Sequence, residues 1–481
     1  MADATERRVK DLPAKTDSTE LEQEEARAAE EETAALSRRA VDVSRSYGGK
    51  VEVIPQVPIT GLADFSYLYS PGVAEVCREI AKDPGQAFEL TGRWNTIAIV
   101  TDGSRVLGLG NIGPEASLPV MEGKSLLFKY LGGVNAFPLP VQVKSPEELI
   151  ETVRRITPAV GGINLEDIAS PKCFHVLEQL QKTMPIPVWH DDQLGTAAAT
   201  VAGLINALAL TGREIWKTGI VLLGSGAANI ATARLLKAMN ADMGALTVVD
   251  HKGILHSERE DLDQLMLQNR WKYDLALTTN EAGTKGGLRE ALQGADVLLA
   301  ASTPDPNTVR PEWVRAMAPH PIVFALANPT PEIWPEVAKT AGAAIVATGR
   351  SDFANQVNNS LIFPPVFRGV LDARARGIPD EVVLVAAHEL ARGAALRGLT
   401  PDHILPTMAE AEVFPKVAAA VAVKCEEMGI ARVRRTRADY EESAVRMMNR
   451  PKKLARLLIE NGLLPTAPPG ATGPISHAGV S

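Results

Sequence analysis

From residue 213 onward the sequence repeats one pattern, and that pattern leaves few folds open. Short apolar runs, IVLLG (220–224), LTVVD (246–250), ADVLLAAS (295–302), PIVFALAN (321–328) and AAIVATG (343–349), alternate with helix-forming stretches such as ANIATARLLKAM. Continuous apolar runs of this length read as strands buried on both faces. Parallel strands covered by crossover helices provide that burial. The alternation predicts an α/β chain with a doubly wound parallel sheet. Only 5% of the residues are aromatic, which also disfavours a β-sandwich.

The rest of the chain divides around this unit. Residues 1–45 form a polar arm with a dense acidic run that includes Glu24, Glu25 and Glu30 to Glu32. Residues 46–212 form a first α/β domain, with a strand expected at TIAIV (96–100) and a helix at SPEELIETVRRI (145–156). That domain ends in a short strand and the small-residue helix AAATVAGLINALALTG. Residues 213–445 hold the doubly wound domain and a helical part, with helices expected at 382–396 and 413–429. Residues 446–481 supply a last helix and a tail rich in proline and glycine, which composition assigns to disorder.

The strand IVLLG runs into GSGAAN, residues 224–229. Gly224 permits a tight turn. Gly226 lets the backbone approach a pyrophosphate at a helix N-terminus, where the free N–H groups of the turn and of Ala227 and Ala228 favour an anion. Asn229 replaces the third glycine of the usual fingerprint. The next strand ends at Asp250, where an acid accepts hydrogen bonds from ribose hydroxyls and repels a 2′-phosphate. This favours NAD, with NADP possible because His251 and Lys252 follow.

Two acid pairs stand apart from the charged surface pattern: Glu166 and Asp167 in GGINLEDIASPKCF, and Asp191 and Asp192 in PVWHDDQLGTA. Adjacent residues on extended chain point to opposite sides, so both members of a pair reach one ion only where the chain turns. Asp191 or Asp192 also suits the cap of the helix that follows. Oxygen-only ligands fit Mg²⁺ or Mn²⁺. Lys124, after Gly123 in an otherwise apolar stretch, reads either as a snorkelling lysine or as a buried base whose pKa is lowered by desolvation and a nearby metal charge. Tyr69, before a Pro-Gly turn, is a packed aromatic or a proton donor. Arg105, in TDGSRVLGLGN, is a surface residue or a carboxylate clamp.

The bulk properties set limits. A net charge of −8 gives no general basis for nucleic-acid or acidic-membrane binding. Cys77, Cys173 and Cys425 are far apart and suggest neither zinc nor disulfides, so a reducing, cytoplasmic setting is expected. The N-terminus lacks the apolar core of a secretory signal. Apolar runs are interrupted before ~18 residues, so no membrane span is expected.

LYSPGVAEVC, VTDGSRVLGLGNIGPEASLPVMEGKSLLFKYLGG, GGINLEDIASPKCF, PVWHDDQLGTA, FALANPTPEIWPE and TGRSDFANQVNNSLIFPPVFRGVLD occur in this order. The series resembles the malic enzymes, in their shorter prokaryotic form, across about residues 50–460. The resemblance implies oxidative decarboxylation of malate with NAD and a divalent metal. It also implies a homodimer or homotetramer. By position, Glu166, Asp167 and Asp192 match the metal ligands, Lys124 the general base and Tyr69 the general acid. Arg105 matches a substrate-carboxylate arginine. Asn328 and Asn359 match asparagines near substrate and nicotinamide, Asn358 is their neighbour at the cofactor, and Asp191 matches a supporting acid. Leu194 stands where a polar residue is common, Pro365 where a glycine is usual, Ala354 for proline, Ser70 for threonine and Asn111 for aspartate. The chain is too short for the phosphotransacetylase-like extension of some longer relatives. A malolactic enzyme that retains NAD and releases lactate is the nearest rival. A metal-independent amino-acid dehydrogenase and a non-catalytic relative are more distant ones.

Overall fold

The structure, a computed structural model, describes residues 35–464. Most of the acidic arm and the Pro/Gly-rich tail from 465 lie outside the described residues. Two compact units are present. One contributes a helix over residues 35–47 to the described chain. The other, residues 51–456, carries both sheets.

The first sheet consists of β1 (Thr96–Thr101), β2 (Asn135–Pro140), β3 (Gly162–Leu165) and β4 (Val188–His190). All are parallel, in the order β2-β1-β3-β4. Its helices are α1 (Pro114–Gly132), α2 (Pro146–Ile156) and α3 (Lys172–Thr183). Local chemistry explains their ends. Pro114 opens α1, where its missing N–H costs nothing, and Gly133 closes it in the left-handed conformation at φ 65°. In α2 the Ser145 hydroxyl caps Glu148 N–H, and Glu147 and Glu148 sit at the positive end of the helix dipole.

The second sheet comprises β5 (Ile220–Leu223), β6 (Leu246–Asp250), β7 (Gly253–Ile254), β8 (Val297–Ala300), β9 (Ile322–Ala325) and β10 (Ile345–Thr348). The order is β10-β9-β8-β5-β6-β7, parallel except for the β6–β7 hairpin. Strands β5, β8, β9 and β10 are buried along their whole length, as their uninterrupted apolar runs require. Strand order reverses between β5 and β8, which opens a crevice at their carboxyl ends. The remaining helices include α4 (Thr196–Thr211), α5 (Ala227–Ala238), α6 (Arg270–Thr278), α7 (Phe363–Asp372), α8 (Asp380–Ala395), α9 (Val413–Glu427) and α10 (Arg437–Glu460), of which α7 packs on α1.

Three details differ from the expectations. The segment Asp191–Thr211 is long and apolar enough to cross a membrane by composition, but most of it is buried inside the fold. Its main helix, α4, packs against α5 and α8, so it stands with the second sheet rather than closing the first domain. The division expected at 445/446 falls inside α10. Pro365 is accommodated because it lies in the first turn of α7, where an N–H has no intrahelical acceptor.

Candidate active site

Sheet register brings the two acid pairs together. β3 and β4 are neighbours with Leu165 opposite His190, so Glu166–Asp167 and Asp191–Asp192 leave adjacent strand ends side by side. The turn that two adjacent ligands require is present. Asp167 has φ 53°, in the left-handed region, and its N–H donates to Asp192 Oδ2 at 2.9 Å. Carboxylate oxygens of Glu166, Asp167 and Asp192 lie within 4.8 Å of one another. Asp167 Oδ2 is buried without a hydrogen-bond partner. A hard cation with oxygen ligands satisfies that orphaned acceptor and the crowded charge, so these three residues fit Mg²⁺ or Mn²⁺.

Neither member of the second pair caps α4. The chain after His190 runs through a π-helical turn, Asp191–Gly195, a form associated with functional sites. Asp191 is fully buried. One oxygen accepts from Trp189 Nε1 at 3.0 Å and the other pairs with Lys124. Leu194, the apolar departure in this motif, is fully buried in the core. His190 is enclosed with its Nδ1 3.6 Å from Asp192 Oδ2, and burial lowers its pKa to about 3, so it is neutral.

Lys124 belongs to the buried stripe of α1, in helical register with Met121 and Phe128, and is 8% exposed. The snorkelling reading therefore fails. Its Nζ is 3.2 Å from Glu166 Oε1, pairs with Asp191, and sits 4.4 Å above the centre of the Phe363 ring. Burial pushes the ammonium pKa down, but Asp191 and Glu166 outweigh it and hold the group above the ordinary lysine range. The acids shift upward in turn. Burial, reinforced by Asp192, pushes Asp167 up to about 7, and burial also raises Glu166, Asp191 and Asp192.

Arg105 anchors the loop after β1 through its N–H to Asp167 O at 3.0 Å. Its side chain is exposed, and its charge acts to lower the Asp192 pKa. The same loop reaches the second sheet, where a Cβ on Gly108 would stand 3.7 Å from Asn328 O. Asn328 follows β9 and lies against Gly349, whose Cβ would fall 2.6 Å from Asn328 Nδ2. Asn359 abuts the π-helical turn, with its Cβ 3.0 Å from where a Cβ on Gly195 would be. Asn358 Oδ1 accepts from Ser360 N–H at 2.8 Å and so shapes the turn that presents Asn359.

Tyr69 is not brought into this cluster. It is 70% exposed, and its hydroxyl has no hydrogen-bond partner among the described residues. It stands on an arm over residues 51–69 without a buried residue, whose exposed apolar side chains include Val53, Leu62, Phe65 and Tyr67.

At the dinucleotide turn Gly224 has φ 98°, and a Cβ there would overlap Ala301 O. Gly226 faces open space at the start of α5, with Ala227 and Ala228 in the partly exposed first turn. Asn229 is buried, and its amide donates to Leu223 O at 2.8 Å and Gly224 O at 3.0 Å. Its side chain braces the turn from beneath, in the place of the third glycine of the fingerprint.

Asp250 is engaged on both of its oxygens. Oδ1 accepts from Lys252 N–H at 2.8 Å, while Oδ2 pairs with Lys272 and lies 3.1 Å from Arg259 NH1. Burial would raise its pKa, but Lys272, the Lys252 N–H and Arg259 hold it below the ordinary aspartate value. Lys272 on α6 and Arg259 are too distant in sequence for a local motif to have revealed them. Glu332, after β9, is a further residue that the motif reading missed. It is fully buried in the loop joining the cofactor-side strands, and the only local signal was an acid between apolar neighbours in TPEIWPE.

Comparison with known proteins covers the same ground. Residues 48–181 match the family described as "Malic enzyme, N-terminal domain", and residues 194–427 match "Malic enzyme, NAD binding domain". The chain is 44% identical over 399 residues to the bifunctional malic/malolactic enzyme of Bacillus subtilis, covering 83% of this chain and 95% of that protein. It is 43% identical to the NADP-dependent malic enzyme of Halomonas elongata, covering 83% and 96%. It is 44% identical to the NAD-dependent malic enzyme of Geobacillus stearothermophilus, covering 80% and 78%. Among solved structures, malic enzyme from Entamoeba histolytica superposes with a TM-score of 0.89 at 39% identity, covering 96% of this chain and 94% of that one.

Proposed function

Because the chain belongs to the malic enzyme family, we propose that it oxidises (S)-malate and decarboxylates the product to pyruvate and CO₂, with reduction of NAD(P). The observation that carries this reading is the convergence of Lys124 with four carboxylates at the ends of β3 and β4. Glu166, Asp167 and Asp192 would hold Mg²⁺ or Mn²⁺. When bound, the cation supplies Lewis-acid stabilisation of the negative charge that develops on the substrate oxygen.

The chain's own residues then have distinct tasks. Arg105 holds a malate carboxylate, and Asn328 and Asn359 line the approach between the acid cluster and the dinucleotide crevice. Lys124, once it has given its proton to Asp191, accepts the C2 hydroxyl proton as hydride departs from C2 towards the nicotinamide. Oxidation makes a β-keto acid, whose carbonyl accepts the electron pair released with CO₂. Tyr69 protonates C3 of the resulting enolate to give pyruvate. Decarboxylation of added oxaloacetate follows from the same second step.

Tyr69 needs its exposed arm to be covered before it can act. We therefore propose a homodimer or homotetramer in which the apolar arm is buried, with no nucleic-acid or membrane partner, working in the cytoplasm. Sedimentation of the purified chain tests the assembly. A fully active monomer overturns it.

The reaction is tested by incubating the chain with malate and NAD or NADP, with and without Mn²⁺. Metal-dependent formation of reduced nucleotide and pyruvate is the expected result. Lactate without net reduced nucleotide would favour the malolactic reading, which the Bacillus subtilis relative's bifunctional description keeps in play.

A further inference from the structure

Glu332 is a carboxylate with no exposed surface and no cation beside it among its hydrogen-bond partners. Burying such a charge is unfavourable unless hydrogen bonds replace the water it gives up. Three do so. Oε1 accepts from Ser302 N–H at 2.7 Å and from Ser302 Oγ at 3.0 Å, and Oε2 accepts from Ala327 N–H at 3.0 Å. The Glu332 carbonyl also accepts from Val309 N–H at 3.0 Å.

These donors lie on two loops that meet the dinucleotide crevice. Ser302 follows β8, and Ala301 beside it donates to Leu223 O at 2.9 Å and packs directly on Gly224, the first glycine of the phosphate turn. Ala327 follows β9 and immediately precedes Asn328. One carboxylate therefore ties the backbone under the pyrophosphate turn to the backbone that presents Asn328.

We propose that Glu332 is a positioning residue for the dinucleotide, setting the separation of the Ser302 and Asn328 loops along the β8 and β9 side of the crevice. It touches neither substrate nor cofactor and acts through backbone it holds. This inference rests on the proposed use of NAD(P), and the two can fail separately. If the wild-type chain binds no NADH, the dinucleotide reading fails. If the wild-type chain binds NADH and the loop variants bind it equally well, only the role of Glu332 fails.

The experiment is titration of NADH fluorescence with Glu332→Gln and Ser302→Ala in the full chain, alongside Mn²⁺ binding by electron paramagnetic resonance. Gln keeps the volume but turns an amide N–H₂ against one of the two backbone donors. Removing a buried acceptor in this way weakens NADH binding by roughly tenfold. Ser302→Ala removes only the hydroxyl bond and weakens it by about threefold. Mn²⁺ affinity, set on the other sheet, stays unchanged in both. A fall in melting temperature with unaltered NADH affinity marks a merely structural carboxylate and overturns the proposal. If Glu332→Gln does not fold, Ser302→Ala decides the matter by the same criterion.

Discussion

Gly195 and Asp191 occupy space that a side chain would need: a Cβ on Gly195 would overlap Asp191 Oδ1. The π-helical turn thus folds back on its own first carboxylate, and the absence of a side chain at its end fixes where Asp191 meets Lys124. Gly195→Ala forces either the turn or the carboxylate to move. Displacements of this size near a reacting centre cost about 100-fold in rate. Malate turnover by this variant should fall accordingly while NADH affinity stays within experimental error of the wild type. Near-normal turnover would show that the Asp191 position is not critical.

Lys124 is both the proposed base and the cation that offsets the acid cluster. Lys124→Ala should lower turnover by about 10²–10⁴-fold. It should also leave Glu166 and Asp191 buried without their counter-charge, at a cost of about 3–5 kcal/mol in stability. Circular dichroism melts and NADH titration separate the two effects. A variant that melts lower, still binds NADH and does not oxidise malate is the expected product. Oxidation at a rate close to the wild type would remove Lys124 from the mechanism.

The metal reading predicts a thermal signature that needs no turnover. A cation bound by the folded chain alone at 100 times its dissociation constant stabilises it by about 2.7 kcal/mol. Mn²⁺ should therefore raise the melting temperature of the wild-type chain, and EDTA should reverse the rise. Asp192→Asn removes one charge from the set and should abolish most of the effect. An identical Mn²⁺ response in Asp192→Asn would place the bound metal elsewhere.

The five parallel strands of the second sheet were legible because burial writes itself as an uninterrupted apolar run, whereas the two-residue β7 was not. β3 was not singled out: GINL is only four residues and carries Asn164. The acid pairs were visible as residues out of place, but their convergence depends on the pairing of β3 with β4, which no local pattern encodes. Lys124 was ambiguous for the same reason, since its burial follows from the packing of α1 on the sheet. Asn229, which stood out as an imperfect fingerprint, proved to be a brace whose amide ties the turn together. Asp250 was correctly read as an acid at a strand end. Its ion-pair partners were not visible, because Lys272 and Arg259 arrive from other parts of the chain.

That context alters the expected cofactor choice. Around Asp250 and Asp261 stand Lys252, Arg259 and Lys272, three cations against two carboxylates. A 2′-phosphate approaching this group meets an acid that is already paired, so the chain should turn over NADP as well as NAD. Asp250→Asn keeps the shape and one acceptor oxygen but releases the positive charge of Lys272 and Arg259. The ratio of kcat/KM for NADP over that for NAD should rise by roughly tenfold, the equivalent of about 1.4 kcal/mol in favour of the extra phosphate. Lys252→Ala, which removes the most exposed cation of the group, should move the ratio the other way. Steady-state assays with both nucleotides at one ionic strength measure the two shifts, because screening weakens exposed charges. If neither substitution changes the ratio, nucleotide choice is made outside the Asp250 cluster.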